Sequence, residues 1–425
     1  MKLAVKGSML RGAVDIPGSK SHTIRAVAVA ALANGESAIL HPLDSADARA
    51  AFRAYRAFGA VIAEEPDVWR VQGTGGEMAV PDNVIDVGNS GTTMRMALGS
   101  AALLREGTAV LTGDDQVRRR PCGPLAESLN ELGAKVISTR ANGCPPFVVE
   151  GRLAGGTTCI EATTSQYLSS LLLNAPLAEG DTEIRVPLLN ERPYVLMTLD
   201  WLARQRVHME YEEGLSAFHI AGGQRFVPFE RRIPADFSSA TFFLAAGALP
   251  DNTVLSRGLD MEDTQGDKAV VDYLRELGAS VCVQDDGVQV SPGTLKGTEI
   301  DLNATPDALP MMAVLGCFAE GTTRLVNVPQ ARLKETDRIT VMRTELEKLG
   351  GRLSELPDGL VIEAAEMQGA EVDGHGDHRV VMALAIAGTM LPGTTVIHGY
   401  EAVDITFPGF ADKLRELGGS VRVVE

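Results

Sequence analysis

Apolar and polar positions alternate along this chain in two recurring patterns. The first is an apolar helical stretch, a small turn rich in Gly and Thr, and an apolar strand. It reads AALANGESAIL at Gly35, AALLREGTAVL at Gly107, APLAEGDTEIRV at Gly180, GALPDNTVL with Asn252 in the glycine place, CFAEGTTRL at Gly321 and TMLPGTTVI at Gly393. The intervals are 72, 73, 72, 69 and 72 residues, which marks internal repetition. The second pattern, a helix ending in Leu-Gly-Ala or a variant and feeding a strand, runs out of phase with the first. It appears at Gly59, Gly133, Gly278, Gly350 and Gly418, with a worn copy, LARQRV, that puts Arg204 in the glycine place. A glycine there supplies the positive φ that ends a helix before the chain turns into a strand. Six units of this length, each with two helices and several strands, are too long for common solenoid repeats and suit two α/β domains of three units each. The chain is expected to cross between them near Ser19 and near Pro234-Ala235-Asp236.

Fourteen residues before each first-pattern turn lies the start of an apolar helix, and the residue there is always polar: Ser21, Thr93, Gln166, Ser238, Asp307 and Arg379. N-capping is the plain explanation for Ser, Thr and Asp, and it is the leading reading for Ser238. Capping does not explain the surroundings: Gly18-Ser19-Lys20-Ser21 with Arg25, Gly88-Asn89-Ser90-Gly91-Thr92 with Arg95, and Gly376-Asp377-His378-Arg379. Glycine lets a ligand approach the backbone, a helix start carries partial positive charge, and Lys or Arg adds a whole one. This is the composition of a phosphate and carboxylate site. It is not a nucleotide P-loop, because Ser19 stands where the glycine before Lys20-Ser21 belongs.

The 425 residues exceed what one core usually serves, in agreement with two domains. A net charge of −17 argues against a nucleic-acid binder or a partner of anionic membranes, since both need surplus cations over a face. No apolar run reaches the roughly 18 to 20 residues of a membrane span, so a soluble, cytoplasmic protein is expected. The five cysteines are scattered without a Cys-x-x-Cys pair and read as reduced thiols, with no metal site. Against that acidic background, Gln116-Val117-Arg118-Arg119-Arg120-Pro121 and Arg332-Leu333-Lys334-Glu335-Thr336-Asp337-Arg338 stand out as dense in cations.

Eight strings, PGSKSHTIRA, GNSGTTMR, RRRP, TSQYLSSLLLNAPLA, ADFSSATFFLAA, PDALPMMA, RLKETDRI and GDHRVVMALA, resemble in order and over nearly the whole chain the EPSP synthase family, the 3-phosphoshikimate 1-carboxyvinyltransferases. The resemblance implies a two-domain inside-out α/β barrel, each domain made of three βαββαβ repeats. Domain I would comprise residues 1–18 with 236–425, and domain II residues 19–235, with the active site in the cleft between them. It implies transfer of the enolpyruvyl group of phosphoenolpyruvate to the 5-hydroxyl of shikimate 3-phosphate, without metal or organic cofactor. A monomer is expected.

Carried over by motif position, shikimate 3-phosphate should meet Lys20, Ser21, Arg25, Thr164, Ser165, Gln166, Asp307, Gln330 and Lys334. Phosphoenolpyruvate should meet Lys20, Gly91, Arg120, Gln166, Arg338 and Arg379, with Arg95 supporting the loop that holds Gly91. Asp307 is the choice for handling the hydroxyl proton and Glu335 for the proton at C3, with Lys20 a competing candidate for either.

Three positions depart from the family pattern. Thr164 replaces a serine and keeps the hydroxyl. Glu191 falls where a substrate-binding serine often sits, so either it points away from the phosphate or Arg192 neutralises it. Ile405 occupies the place of a lysine on phosphoenolpyruvate, from which weaker binding of that substrate, or weaker inhibition by glyphosate, is expected. The rival readings are a sister transferase acting on a UDP-sugar, a variant using another phosphorylated or cyclic alcohol, and a non-catalytic ligand-binding relative. The sister enzyme's reactive cysteine is not matched, because Asp114-Asp115-Gln116-Val117 occupies its loop and Cys122 follows Pro121. The binding relative would be expected to have lost Asp307 or Glu335, and both remain.

Overall fold

The computed structural model describes residues 1–425 as a mixed α/β chain that divides into two compact units, Lys20–Ile233 and Met1–Ser19 with Pro234–Glu425. The first holds helices α1 (Lys20–Leu32), α2 (Ala46–Ala57), α3 (Gly91–Ala101), α4 (Gly123–Glu131), α5 (Ser165–Asn174) and α6 (Arg192–Arg204). The second holds α7 (Phe237–Ala248), α8 (Val270–Leu277), α9 (Leu309–Phe318), α10 (Arg338–Lys348), α11 (His378–Met390) and α12 (Phe410–Glu416).

There are six four-stranded sheets, three in each unit, and all share one pairing order, a parallel edge strand followed by three strands paired antiparallel. In one of them Gly156–Ala162 pairs parallel with Thr182–Leu189, which pairs antiparallel with Ala217–Ile220, which pairs antiparallel with Met209–Tyr211. In chain order this repeat is βαβαββ. That corrects the βαββαβ order expected from the sequence: one strand, not two, lies between the helices. The physical reason is length. In the first repeat Glu36–Leu40 is followed by α2 at Ala46, leaving five residues, too few for a further strand and its turn.

Three sheets take one strand from elsewhere in sequence. Glu230–Arg232 supplies the parallel edge of the first sheet, beside Glu36–Leu40. Arg11–Asp15 does the same beside Thr253–Arg257, and Lys2–Lys6 inserts between Thr394–His398 and Ser420–Val424.

Each unit encloses its own apolar core, and the helices following the first strand of each repeat run through it. α3 and α7 are buried along their entire length, and neither keeps a charged solvent face: α7 is apolar beyond its first turn, while α3 buries Arg95 among its small and apolar residues. The alternate helices lie at the surface: α8 buries only the stripe Val270, Val271, Leu274 and Leu277. Helix stops follow the glycines, with Gly59, Gly133, Gly278, Gly350 and Gly418 at φ between 96° and 104°. In the worn copy the left-handed residue is Arg206 (φ 56°), two places beyond the Arg204 expected, because α6 runs through Arg204 and caps at Gln205. Likewise Asp251 (φ 62°), not Asn252, makes the turn after α7. Asn252 instead is buried, accepting from the Leu10 amide at 2.7 Å and donating to the Ala246 carbonyl at 2.8 Å.

Candidate functional site

Five of the six polar residues lie in first turns of α-helices and Asp307 in the 3-10 turn Pro306–Ala308 that leads into α9, and where a side chain caps the helix it belongs to another residue. Ser90 caps α3, Thr164 caps α5, Asp236 caps α7 and Asp377 caps α11. Ser238 is therefore not the N-cap expected of it. Asp236 accepts from the Ser239 amide (2.9 Å), while the Ser238 hydroxyl is buried without a hydrogen-bond partner.

In Lys20–Ile233 the helix starts are linked by side chains. Lys20 Nζ lies 3.1 Å from the buried carboxylate of Asp47, on the first turn of α2. The Asp47 carbonyl accepts from Thr93 on α3 at 3.4 Å. From α3, Arg95 donates to Gln166 Oε1 on α5 (2.7 Å) and to the carbonyls of Gly91 (3.2 Å) and Pro121 (3.1 Å). Arg120 is held by the Asn89 carbonyl, Asn89 Oδ1 and Gln116 Oε1, all at 3.3 Å. Gly91 sits between these cations: a Cβ there would come within 2.8 Å of both the Arg95 and the Arg120 guanidinium. A side chain there would displace both guanidinium tips, so glycine lets two arginines come close to one helix N-terminus.

Arg25, on α1, is buried among neutral oxygens. It donates to the Thr198 hydroxyl (2.9 Å), the Ser21 carbonyl (3.0 Å), the Tyr194 carbonyl (3.1 Å) and the Ser169 hydroxyl (3.3 Å). Burial brings its pKa down to about 10, opposed by the neighbouring Tyr194 and the Glu191 carboxylate.

Glu191 answers the alternatives posed by the sequence with a third. It is 2% exposed, and its Oε2 accepts from the Ser165 hydroxyl (2.8 Å), the Thr164 hydroxyl (3.0 Å) and the Ser165 amide (3.1 Å). The carboxylate thus takes the donors at the start of α5. Arg192 turns elsewhere, donating to the Glu213 and Gly214 carbonyls. Glu191 is held in the left-handed region (φ 57°, ψ 39°), which costs a non-glycine residue about 1–3 kcal/mol.

In the other unit, Arg338 joins three carboxylates. It donates to Asp307 Oδ1 (2.6 Å), Glu335 Oε2 (2.6 Å), and Asp377 Oδ2 (2.7 Å) and Oδ1 (3.3 Å). Burial opposes its charge, yet the Asp377, Glu335 and Asp307 carboxylates outweigh that and hold it above the ordinary arginine value. Arg379 lies 3.0 Å from Asp307 Oδ2 and donates to the Ser238 carbonyl (3.2 Å), tying α11 to α7. Gln330 is buried and donates to the Asn303 carbonyl (3.0 Å), and Lys334 follows in a half-buried turn. Ile405 ends the short helix Tyr400–Ile405, half-buried.

The structure thus places Lys20, Ser21, Gly91, Thr164, Ser165 and Gln166 at helix starts of one unit, with Arg25 a turn into α1 and Arg120 on the segment before α4. Asp307, Glu335, Arg338 and Arg379 form one ion cluster in the other, with Gln330 and Lys334 on the segment leading to it. Sequence reasoning did not assign Asp47 or Asp377, each partnering a predicted cation. The string Gly-Asp-His-Arg was a signal for the second; nothing marked the first.

The family profile described as EPSP synthase (3-phosphoshikimate 1-carboxyvinyltransferase) matches residues 5–414. The 3-phosphoshikimate 1-carboxyvinyltransferase of Acetivibrio thermocellus is 52% identical over 425 residues, and that of Ruminiclostridium cellulolyticum 50% identical over 424, each match covering 100% of both chains. Among solved structures, EPSP synthase from Acinetobacter baumannii superposes with a TM-score of 0.84 at 27% identity, covering 100% of both chains. The enolpyruvyl transferase NikO from Streptomyces tendae shares the fold at 21% identity, with a TM-score of 0.79 over 99% of this chain and 98% of that one.

Proposed function

The chain belongs to the EPSP synthase family, the 3-phosphoshikimate 1-carboxyvinyltransferases, and from that premise we propose how its own residues carry out the reaction. It is a transferase of the shikimate pathway, moving the enolpyruvyl group of phosphoenolpyruvate to shikimate 3-phosphate on the way to the aromatic amino acids. No helix is long and apolar enough to cross a membrane.

The acceptor 5-hydroxyl loses a proton as it attacks C2 of phosphoenolpyruvate, and C3 gains one, giving a tetrahedral ketal. C3 then loses a proton as phosphate departs and the enol double bond reforms. Asp307 handles the hydroxyl proton and Glu335 serves C3, with Lys20 the alternative donor. The observation that carries this reading is that one guanidinium, that of Arg338, hydrogen-bonds both carboxylates at 2.6 Å, fixing the two beside a cation.

Substrate binding divides between the two units. Shikimate 3-phosphate takes Lys20, Ser21, Arg25, Thr164, Ser165, Gln166, Asp307, Gln330 and Lys334. Phosphoenolpyruvate takes Lys20, Gly91, Arg120, Gln166, Arg338 and Arg379. The charges favour it, since each substrate brings a phosphate of about −1.5 to −2 together with a carboxylate. Arg95, bonded to Gln166 and the Gly91 carbonyl, is a positioning residue. The same reading gives each unit the architecture of an inside-out α/β barrel, supported by the wholly buried α3 and α7. It makes the protein a monomer with no nucleic-acid partner.

Phosphate release from phosphoenolpyruvate in the presence of shikimate 3-phosphate tests the assignment. Glu335→Gln and Asp307→Asn should each lower kcat by about 10² or more. If both variants keep wild-type kcat, proton transfer lies with other groups. Nor does Cys122 offer the UDP-sugar reading a nucleophile, because it is buried and its thiol is pushed up by desolvation, with Arg95 opposing.

A further inference from the structure

Three donors at the start of α5 converge on one oxygen, and that oxygen belongs to the protein. The Thr164 hydroxyl, the Ser165 hydroxyl and the Ser165 amide all donate to Glu191 Oε2, at 3.0, 2.8 and 3.1 Å. Two hydroxyls and a helix-start amide around an anionic oxygen are what a phosphate oxygen would find there. We propose that Glu191 is the residue that sets acceptor affinity in this enzyme: its carboxylate occupies the phosphate donors of Thr164 and Ser165, and the acceptor binds by displacing it. The proposal rests on the reading above, that these two residues take the acceptor's phosphate.

The chemistry leaves little room for both anions. Each hydroxyl has one proton to donate and the amide has one, so a phosphate oxygen and Oε2 cannot share all three donors, and two anions on one helix start repel. Nor does the contact come from a helix cap. Glu191 makes no side-chain bond to its own helix, α6, and reaches instead across 26 positions of sequence to Ser165. Its left-handed backbone (φ 57°, ψ 39°) is one that a non-glycine residue adopts at a cost. A serine in the same place would present a neutral group and no competing charge.

Steady-state kinetics on the full chain test this, with shikimate 3-phosphate varied at saturating phosphoenolpyruvate. Glu191→Ser is expected to lower the acceptor KM by about tenfold, a fall exceeding any change in kcat. Glu191→Gln keeps the shape and removes the charge, and should give a smaller fall in the same direction even if the serine variant folds poorly. Ser165→Ala separates the proposal from the reading beneath it. In the wild type Ser165 is occupied by Glu191, so the alanine should raise the acceptor KM less there than in the Glu191→Ser background. An acceptor KM unchanged or raised in both Glu191 variants, with Ser165→Ala still raising it, overturns the proposal and leaves the phosphate site standing. If Ser165→Ala has no effect in either background, the phosphate binds elsewhere and both fall.

Discussion

Replacing Arg338 with methionine removes a cation that makes four hydrogen bonds to three carboxylates while being 1% exposed itself. The acids it leaves behind differ in access to water: the side chains of Asp307, Glu335 and Asp377 are 17%, 10% and 0% exposed. Asp377 dominates the cost, because it has no solvent to turn to and retains the α11 amide of Arg379 as a donor at 2.9 Å. Stranding a buried carboxylate costs about 3–5 kcal/mol, against the 0.2–1 kcal/mol of an exposed pair. Urea unfolding followed by circular dichroism should therefore show Arg338→Met destabilised by about 3–5 kcal/mol. Arg338→Lys, which keeps the charge but cannot fork between three acids, should fall about midway. Adding Asp377→Asn to Arg338→Met should restore more than 1 kcal/mol, since the neutral amide no longer needs the cation. A loss below about 1 kcal/mol in Arg338→Met would refute the reasoning, for the cluster would then be behaving as a solvated surface pair.

Ile405→Lys should lower the KM for phosphoenolpyruvate several-fold and strengthen inhibition by glyphosate, an effect of about 1 kcal/mol that fades with added salt; a salt-independent change would point to packing instead. Of the five thiols, only Cys159 and Cys282 are exposed, so a native thiol titration with an aromatic disulfide should reach two per chain promptly. Burial pushes Cys317 up to about 12, and Cys122 and Cys144 up as well, so these three should wait for unfolding. Burial also works against the Glu345 carboxylate, but bonds from His375, Lys348 and the Asp373 amide outweigh it and hold its pKa below the ordinary value. Its stabilisation is present above the unfolded carboxylate range and is lost as pH falls through the depressed pKa. Glu345→Gln should therefore flatten the acid limb of a melting-temperature profile below about pH 4.5, while costing about 1–3 kcal/mol at neutral pH.

The repeat was legible because helix stops need a residue tolerant of positive φ, and five of the six second-pattern turns use glycine. The sixth misled the reading by two positions, since Arg206 adopts that conformation with no residue-type signal. The strand order was harder to read because the hairpin strands are mostly exposed. Val61–Glu65 and Ser280–Gln284 each carry at most one buried residue, so their hydrophobic alternation is too weak to separate one strand from two. Site cations stood out against an acidic chain and beside glycines. Their partners did not, because Asp47 lies 27 positions from Lys20 and Asp377 lies 39 from Arg338, pairings that only the folded chain creates.

Those pairings change the meaning of the net charge of −17. The protein does not hold a set of bare cations inside a negative shell. Lys20 is paired with Asp47, Arg379 with Asp307, and Arg338 with three acids, while the donors of Thr164 and Ser165 are taken by Glu191. Arg25 and Arg95 direct their hydrogen bonds to neutral oxygens instead. Under the proposed site assignment, substrate anions would meet two kinds of positive charge. One kind attracts from the outset, and the other becomes available only as an internal carboxylate gives way. A phosphate at about −1.5 to −2 has more charge to offer a shared donor than one carboxylate, so exchange can run toward the ligand. On that proposal the internal acids would act as a threshold: they pair the cations in the absence of substrate, and they would subtract from the affinity of any anion too weakly charged to replace them.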